Sequence, residues 1–281
     1  MINQLLPVRL RVAIRSMFRR YRYDRKLFWA ILKNVRLRSL VEVFACLEDG
    51  GGEGNSTFNI WLRNRQAPFL LRRGSSDFYV FRQVVLEDQY KLEDVDAPKY
   101  IVDAGANIGL TSALLLERFP DCSVLSIEPD PQNYSIASQN LKGYGDRCRL
   151  LRVALWSKEE TLSVQRGTYR DGLDWASQTV STNDPNSATV SARTLNSLLS
   201  EVGFPRIDLL KIDIEGAELQ VFGEGDTSFL EKTSYCATEC HDDQCLKAFV
   251  DATKRYGFSI RHEGELAIAW HPSGQPRRDH S

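Results

Sequence analysis

From Lys99 onward, short apolar runs alternate with stretches of helical spacing. Strand Tyr100–Val102 leads to helix Leu110–Arg118, strand Ser123–Ile127 to helix Asn133–Leu141, and strand Arg149–Ala154 follows. Strand Ile207–Ile212 then leads to helix Ala217–Phe222, and strand Tyr235–Ala237 to helix Leu246–Tyr256. Phe258–Arg261 and Leu266–Trp270 close the series as a strand pair. Such alternation with short connections predicts an α/β fold: a doubly wound, mostly parallel sheet with helices on both faces. The interruption between about Ser157 and Pro205 is too long for a simple connection. Its Gly-, Ser-, Asn- and Asp-rich middle, with Trp175, reads equally as a lid or as a disordered surface excursion.

The first 98 residues follow another pattern. Up to residue 48 the spacing is helical, with Leu6, Leu10, Ile14 and Phe18 as one apolar set and Leu27, Ile31, Val35 and Leu37 as a second. A Gly-rich joint at 49–55 opens a lead-in, residues 49–98, with strands Phe58–Leu62 and Phe69–Leu71. Ser76-Asp77 then enters a helix, and Pro98 closes the segment. The expected division is 1–48 as a basic helical extension, 49–98 as lead-in, 99–271 as the main domain and 272–281 as a disordered tail.

Charge sharpens this division. Up to Val41 there are eleven Lys and Arg against Asp24 alone, and the remaining 25 basic and 36 acidic residues bring the chain to −1. A basic appendage on an acidic core follows. The helices could simply pack against the main domain, or meet anionic lipid or a phosphate-bearing carrier. No apolar run reaches the roughly 18–20 residues that span a bilayer. Arg9, Arg11 and Arg15 interrupt what a secretory signal would need. The expected location is cytoplasmic, with peripheral membrane contact through residues 1–48 as the alternative. Cys236, Cys240 and Cys245 cluster with His241, but without the paired spacing of a structural zinc site.

The candidate chemistry starts at Asp103-Ala104-Gly105-Ala106-Asn107-Ile108-Gly109, an acidic strand end running into a glycine turn and a helix. A dinucleotide fingerprint would need glycine at 107 and 110, and a P-loop would need a Gly-Lys-Ser/Thr ending. The chain has Asn107 and Leu110, and Gly109 is followed by Leu110-Thr111. A ligand without a pyrophosphate remains. Gly105 permits the turn, Gly109 permits close contact at the helix start, and the helix N-terminus can receive a carboxylate. Asp103 can accept from an ammonium group. Glu128, 25 residues on at the next strand tip, is placed for the hydroxyls of a ribose. An amino acid joined to an adenosine is S-adenosylmethionine.

These stretches, with Ile127-Glu128-Pro129 and Lys211-Ile212-Asp213-Ile214-Glu215-Gly216-Ala217-Glu218, resemble the FkbM family of S-adenosylmethionine-dependent methyltransferases. Arg73-Gly74-Ser75-Ser76-Asp77 matches it as well, and the likeness covers about residues 75 to 262. The resemblance implies a class I Rossmann-like fold and methylation of a hydroxyl on a sugar, glycan or natural product. The cofactor-binding set is then Asp103, Gly105, Asn107, Gly109, Glu128 and Asp213.

Independent physics marks the same place. Lys211 and Asp213 share one face of a buried strand, where charge is costly unless paired or at the tip. Glu239 and His241 share a face at the end of the next strand. A hydroxyl must lose its proton as it is methylated, and a neutral histidine can take it. His241 is the candidate base, Asp213 or Glu239 the orienter or alternate, and Lys211 the group that pairs with a carboxylate and holds the loop. Asp213, Glu215 and Glu239 could bind Mg²⁺, but nothing in the spacing requires it and no metal is expected. N-methylation and a non-catalytic cofactor-binding scaffold are the rival readings. The expected partner is a small-molecule or glycan substrate, not nucleic acid, and the oligomeric state is left open.

Overall fold

The computed structural model describes residues 25–49, 56–90, 95–165, 178–180 and 189–271. The chain divides into two compact units, one up to Gln89 and one from Tyr90.

In the first unit, α1 (Arg25–Asn34) and α2 (Leu37–Asp49) precede a hairpin of β1 (Thr57–Ile60) and β2 (Phe69–Arg72), then the short α3 (Asp77–Phe81). Leu27, Ile31, Val35, Leu40, Val43 and Phe44 are buried, whereas Leu37, expected in one apolar set with Leu27, Ile31 and Val35, opens the second helix and is 68% exposed. Several arginines are committed locally. Arg72 binds the enclosed Asp77 at 2.6 Å, Arg73 pairs with Glu42, and Arg36 donates to the carbonyls of Leu62 and Arg65. The predicted helical set from Leu6 to Phe18 lies outside the described residues, as do the 50–55 joint and the tail from 272.

The second unit is built on a seven-stranded sheet. Its strands are β3 (Tyr100–Ala104), β4 (Ser123–Ile127), β5 (Cys148–Leu151), β10 (Leu209–Ile212), β11 (Tyr235–Glu239), β12 (Ser259–Glu263) and β13 (Leu266–Trp270). The spatial order is β12-β13-β11-β10-β3-β4-β5. β5, β4, β3, β10 and β11 are parallel, and β13 runs antiparallel to both β11 and β12. Helices α4 (Leu110–Arg118), α5 (Pro131–Leu141) and α7 (Asp243–Arg255) connect them. This is a doubly wound, mostly parallel Rossmann-like sheet with an antiparallel strand pair at one edge. The order reverses between β3 and β10, which opens a crevice at their C-terminal ends.

Three predicted elements differ. The run expected as one strand over Arg149–Ala154 breaks: β5 ends at Leu151, and β6 (Ala154–Leu155) pairs with β9 (Thr189–Arg193) in a separate sheet. An apolar run cannot reveal that its two ends join different partners. The helix expected over Ala217–Phe222 is a turn followed by a π-helical turn at Gln220–Glu224. Gly216 (φ +93°) and Glu215 (φ +53°) adopt left-handed backbone just before it. The long interruption differs in its described flanks, which form regular elements, while its middle, expected as lid or disordered excursion, lies outside the described residues apart from 178–180. β6, β7 (Glu160–Gln165), β8 (Gln178–Val180) and β9 form a four-stranded sheet, and α6 (Leu195–Val202) follows. Trp175 falls outside the described residues.

The core lies under β3, β10 and β11, where Val102, Leu210, Ile212, Phe222, Phe249 and Cys236 are enclosed. Phe249 of α7 meets Phe222 edge-on at 5.1 Å. Cys240 and Cys245 are buried in the same cluster, with free thiols.

Candidate active site

The strand tips and the turns after them build the site. At the β3 tip the chain turns sharply through Gly105 (φ +76°). A Cβ there would lie 1.6 Å from the Asp213 carbonyl oxygen, so no other residue fits where this loop crosses the end of β10. The loop closes on itself. Gly105 N and Ala106 N donate to Ile127 O, Asn107 N donates to Glu128 Oε2 at 2.7 Å, and Gly109 N donates to Ala106 O. Asn107 has a left-handed φ of +50° and accepts Ile108 N on its side-chain oxygen, the local bond that lets asparagine adopt this conformation.

Two expectations change here. Gly109 does allow close contact, but toward α5: an added Cβ would meet Leu141 at 3.0 Å and the Ala137 backbone at 3.3 Å. Asp103 does not stand open at the strand end. It is fully enclosed, accepts the Ser112 hydroxyl at 2.5 Å and lies 3.1 Å from Lys211 Nζ. An ammonium group could reach it only by displacing Lys211. Here Asp103 is a hub that ties β3 to α4 and β10.

Lys211 projects from β10 into this hub and is buried. Its Nζ donates to Gly105 O at 2.7 Å and lies 3.8 Å from Asp213 Oδ2. Burial alone would push the ammonium down, but Asp103 and Asp213 outweigh it and hold the group above its ordinary value. The lysine does hold the glycine loop.

Beyond Lys211, β10 and β11 end side by side, with Ile212 opposite Thr238. Asp213 and Glu239 therefore leave the sheet together, and His241 follows. His241 Nε2 lies 3.6 Å from Asp213, 3.7 Å from Glu215 and 3.8 Å from Glu218. Burial lowers the imidazole, but this ring of carboxylates more than reverses it and brings the pKa to about 9. Glu239 is pushed to about 8 by burial and by Asp213. At neutral pH the histidine and the glutamic acid thus both carry a proton. Asp213 stays ionised below its ordinary range: burial opposes this, and Lys211, His241 and Tyr90 outweigh burial.

Asp213, Glu239 and His241 each bring one donor atom within 4.8 Å of the others, a spacing compatible with a cation.

On the other side of the crevice Glu128 sits at the β4 tip, buried. Its Oε1 accepts Asp130 N at 3.0 Å and Asn133 Nδ2 at 3.4 Å, while Oε2 takes Asn107 N. Burial raises its pKa to about 7 against these donors. Each oxygen keeps acceptor capacity beyond these bonds. A low glycine loop at one tip and a carboxylate at the next fit a nucleoside with free hydroxyls.

Of four further participants, three lack a signal in the pattern. Tyr90 donates to Asp213 Oδ2 at 3.0 Å. Nothing in the spacing around a lone tyrosine in the lead-in shows where the fold takes it. Ser112 and Ser126, 2.7 Å apart, complete the Asp103 hub from α4 and β4. Glu218 accepts Ile214 N and Gly216 N and latches the turn after β10. Glu218 closes the Lys211–Glu218 stretch that marks the family resemblance, six residues past the end of β10.

Among known proteins the chain has recognisable relatives. Residues 103–258, more than half of the chain, match the family described as "Methyltransferase FkbM domain". The chain is 27% identical to methyltransferase sdnD of Sordaria araneosa over 66% of this chain and 83% of that protein. It is 28% identical to the 2-O-methyltransferase NoeI of Sinorhizobium fredii over 62% of this chain and 74% of that protein. It is 23% identical to the hexuronic acid methyltransferase AglP of Haloferax volcanii over 53% and 59%. A solved precorrin-6y C5,15-methyltransferase from Geobacter metallireducens overlaps 62% of this chain and 79% of its own, at 13% identity and a TM-score of 0.36. With its strand order, its glycine loop and the family match covering both β3 and β10 tips, the chain belongs to the FkbM methyltransferase family.

Proposed function

We propose that this protein is an S-adenosylmethionine-dependent O-methyltransferase acting on a hydroxyl of a sugar, glycan or related small molecule. One observation carries the reading: Lys211, Asp213, Glu239 and His241 converge beside the Gly105 loop at the β3–β10 switch point. NoeI is named a 2-O-methyltransferase and AglP a hexuronic acid methyltransferase, which supports oxygen as the acceptor atom and a sugar as the acceptor class.

Glu128 holds the ribose hydroxyls. Gly105, Asn107 and Gly109 shape the loop against which the cofactor lies, while Asp103 and Lys211 lock that loop from below. When bound, S-adenosylmethionine supplies an electrophilic methyl group, which passes to the acceptor oxygen as the sulfonium becomes a thioether. The acceptor hydroxyl gives its proton to His241 in the neutral form. Asp213 orients the imidazole and stabilises it once charged. Glu239, pushed up to about 8 by burial and by Asp213, is the alternate orienter. Much of the rate comes from holding the acceptor in line.

Calorimetry with S-adenosylmethionine, followed by turnover against a library of hydroxyl-bearing saccharides, tests this. The expected result is binding, with methylation that falls at least a hundredfold in His241→Ala. Folded wild type that does not bind the cofactor overturns the proposal. Full activity of His241→Ala on an amine acceptor points instead to N-methylation.

A further inference from the structure

The family match begins at Asp103, yet Asp213 has a partner that precedes it by thirteen residues. Tyr90, which opens the second unit, is buried and donates its hydroxyl to Asp213 Oδ2 at 3.0 Å. Its ring faces Lys211 Nζ at 5.2 Å from the centroid. The Asp213 carboxylate is thereby divided. Oδ2 serves Tyr90 and, at 3.8 Å, Lys211, whereas Oδ1 points to His241 Nε2 at 3.6 Å.

We propose that Tyr90 is a positioning residue: by donating to Oδ2 it fixes the rotation of the Asp213 carboxylate and tempers its charge, and so sets the orientation and basicity of His241. This rests on the reading of His241 as the proton acceptor.

The phenol suits the task. It is kept protonated by burial and by Asp213, Glu239 and Asp103, so it is a donor at every working pH. A neutral donor removes part of the carboxylate's pull on the imidazole without adding a charge to an enclosed site. Asp213 cannot rotate to offer Oδ2 to His241 without losing that bond. The other charges facing His241 are Glu215 and Glu218 from the turn after β10, Glu239 from β11 and Asp242 at the start of α7. None of them contacts Tyr90 in the way Asp213 does, so deleting the phenol oxygen reaches His241 through Asp213.

The test is Tyr90→Phe, which keeps the ring over Lys211 and removes only the donor. The His241 imidazole is followed by NMR across pH and assigned as the one of four histidine signals absent from His241→Asn. With Asp213 less neutralised, the His241 midpoint rises by roughly half a pH unit, which leaves about threefold less neutral imidazole at pH 7. S-adenosylmethionine affinity, measured by calorimetry, stays within about twofold. A midpoint that stays put or falls overturns the proposal. If Tyr90→Phe alone does not fold, the double variant with Asp213→Asn decides. Without the anion no donor is needed, so folding returns, and an unfolded double variant overturns the coupling. Wild type that fails to bind the cofactor would refute the methyl-transfer reading while the His241 midpoint still decides the role of Tyr90.

Discussion

His241 and Glu128 hold their protons for different reasons, and each gives a pH signature. Carboxylates raise His241 to about 9, so the folded state binds a proton that the unfolded chain releases near its ordinary value of about 6.5. The stability this contributes is complete below pH 6.5 and is lost as pH rises through 9. Urea unfolding at pH 6, 8 and 9.5 should show that loss in wild type, reduced in His241→Asn. Methyl transfer moves the opposite way: kcat/KM climbs with pH toward 9 as neutral imidazole forms. Glu128 is raised to about 7 by burial, and its ionised form accepts ribose hydroxyls better. Cofactor affinity should therefore strengthen as pH passes through 7. Glu128→Ala should weaken it tenfold or more, about 1.4 kcal/mol, by calorimetry.

At the scale of elements, β10 and β3 are locked to each other at both ends. At the entry, Asp208 accepts Lys99 N at 2.7 Å and Tyr100 N at 2.9 Å. At the exit, Lys211 spans to Asp103 and Gly105 O. A one-residue slip would turn Lys211 to the opposite face, so these bonds fix the register on which the site depends. Gly105→Ala would force its Cβ onto the Asp213 carbonyl, so the loop or the β10 tip must move. The expected cost is about 2–4 kcal/mol in unfolding free energy, with loss of cofactor binding. These elements were only partly legible in the spacing. β3, β4, β10, β11 and β13 were, because a buried strand is a short apolar run bounded by turn residues. The split after Leu151, the π-helical turn at 220–224 and the four-stranded sheet depend on pairing with distant segments or on left-handed backbone.

For the second unit as a whole, stability and function share one core. Phe249 and Phe222 pack beneath the strands that carry Lys211 and Glu239. Phe249→Ala should cost about 3–5 kcal/mol and impair the site only through folding. Cofactor at a hundred times its Kd should raise stability by about 2.7 kcal/mol, seen as a higher Tm. At the same cofactor concentration a tenfold weaker Glu128→Ala should keep only about half of that gain, and its ligand-free Tm should also fall because Asn107 N, Asp130 N and Asn133 Nδ2 lose their buried acceptor. Among the described residues no helix is long and apolar enough to cross a membrane.

The order of apolar runs and glycines by itself determined the parallel α/β sheet, the lack of a dinucleotide fingerprint and the residues at the β3, β4 and β10 tips. These follow from local periodicity and from the backbone freedom of glycine, which are properties of neighbours in the chain. Only the tertiary structure decided what those residues do to one another. It enclosed Asp103 with Lys211, turned Gly109 toward α5, ringed His241 with carboxylates and brought Tyr90 onto Asp213 across 123 positions of sequence. Burial and the proximity of charges set proton occupancy, and both arise only when distant strands meet at one edge of the sheet.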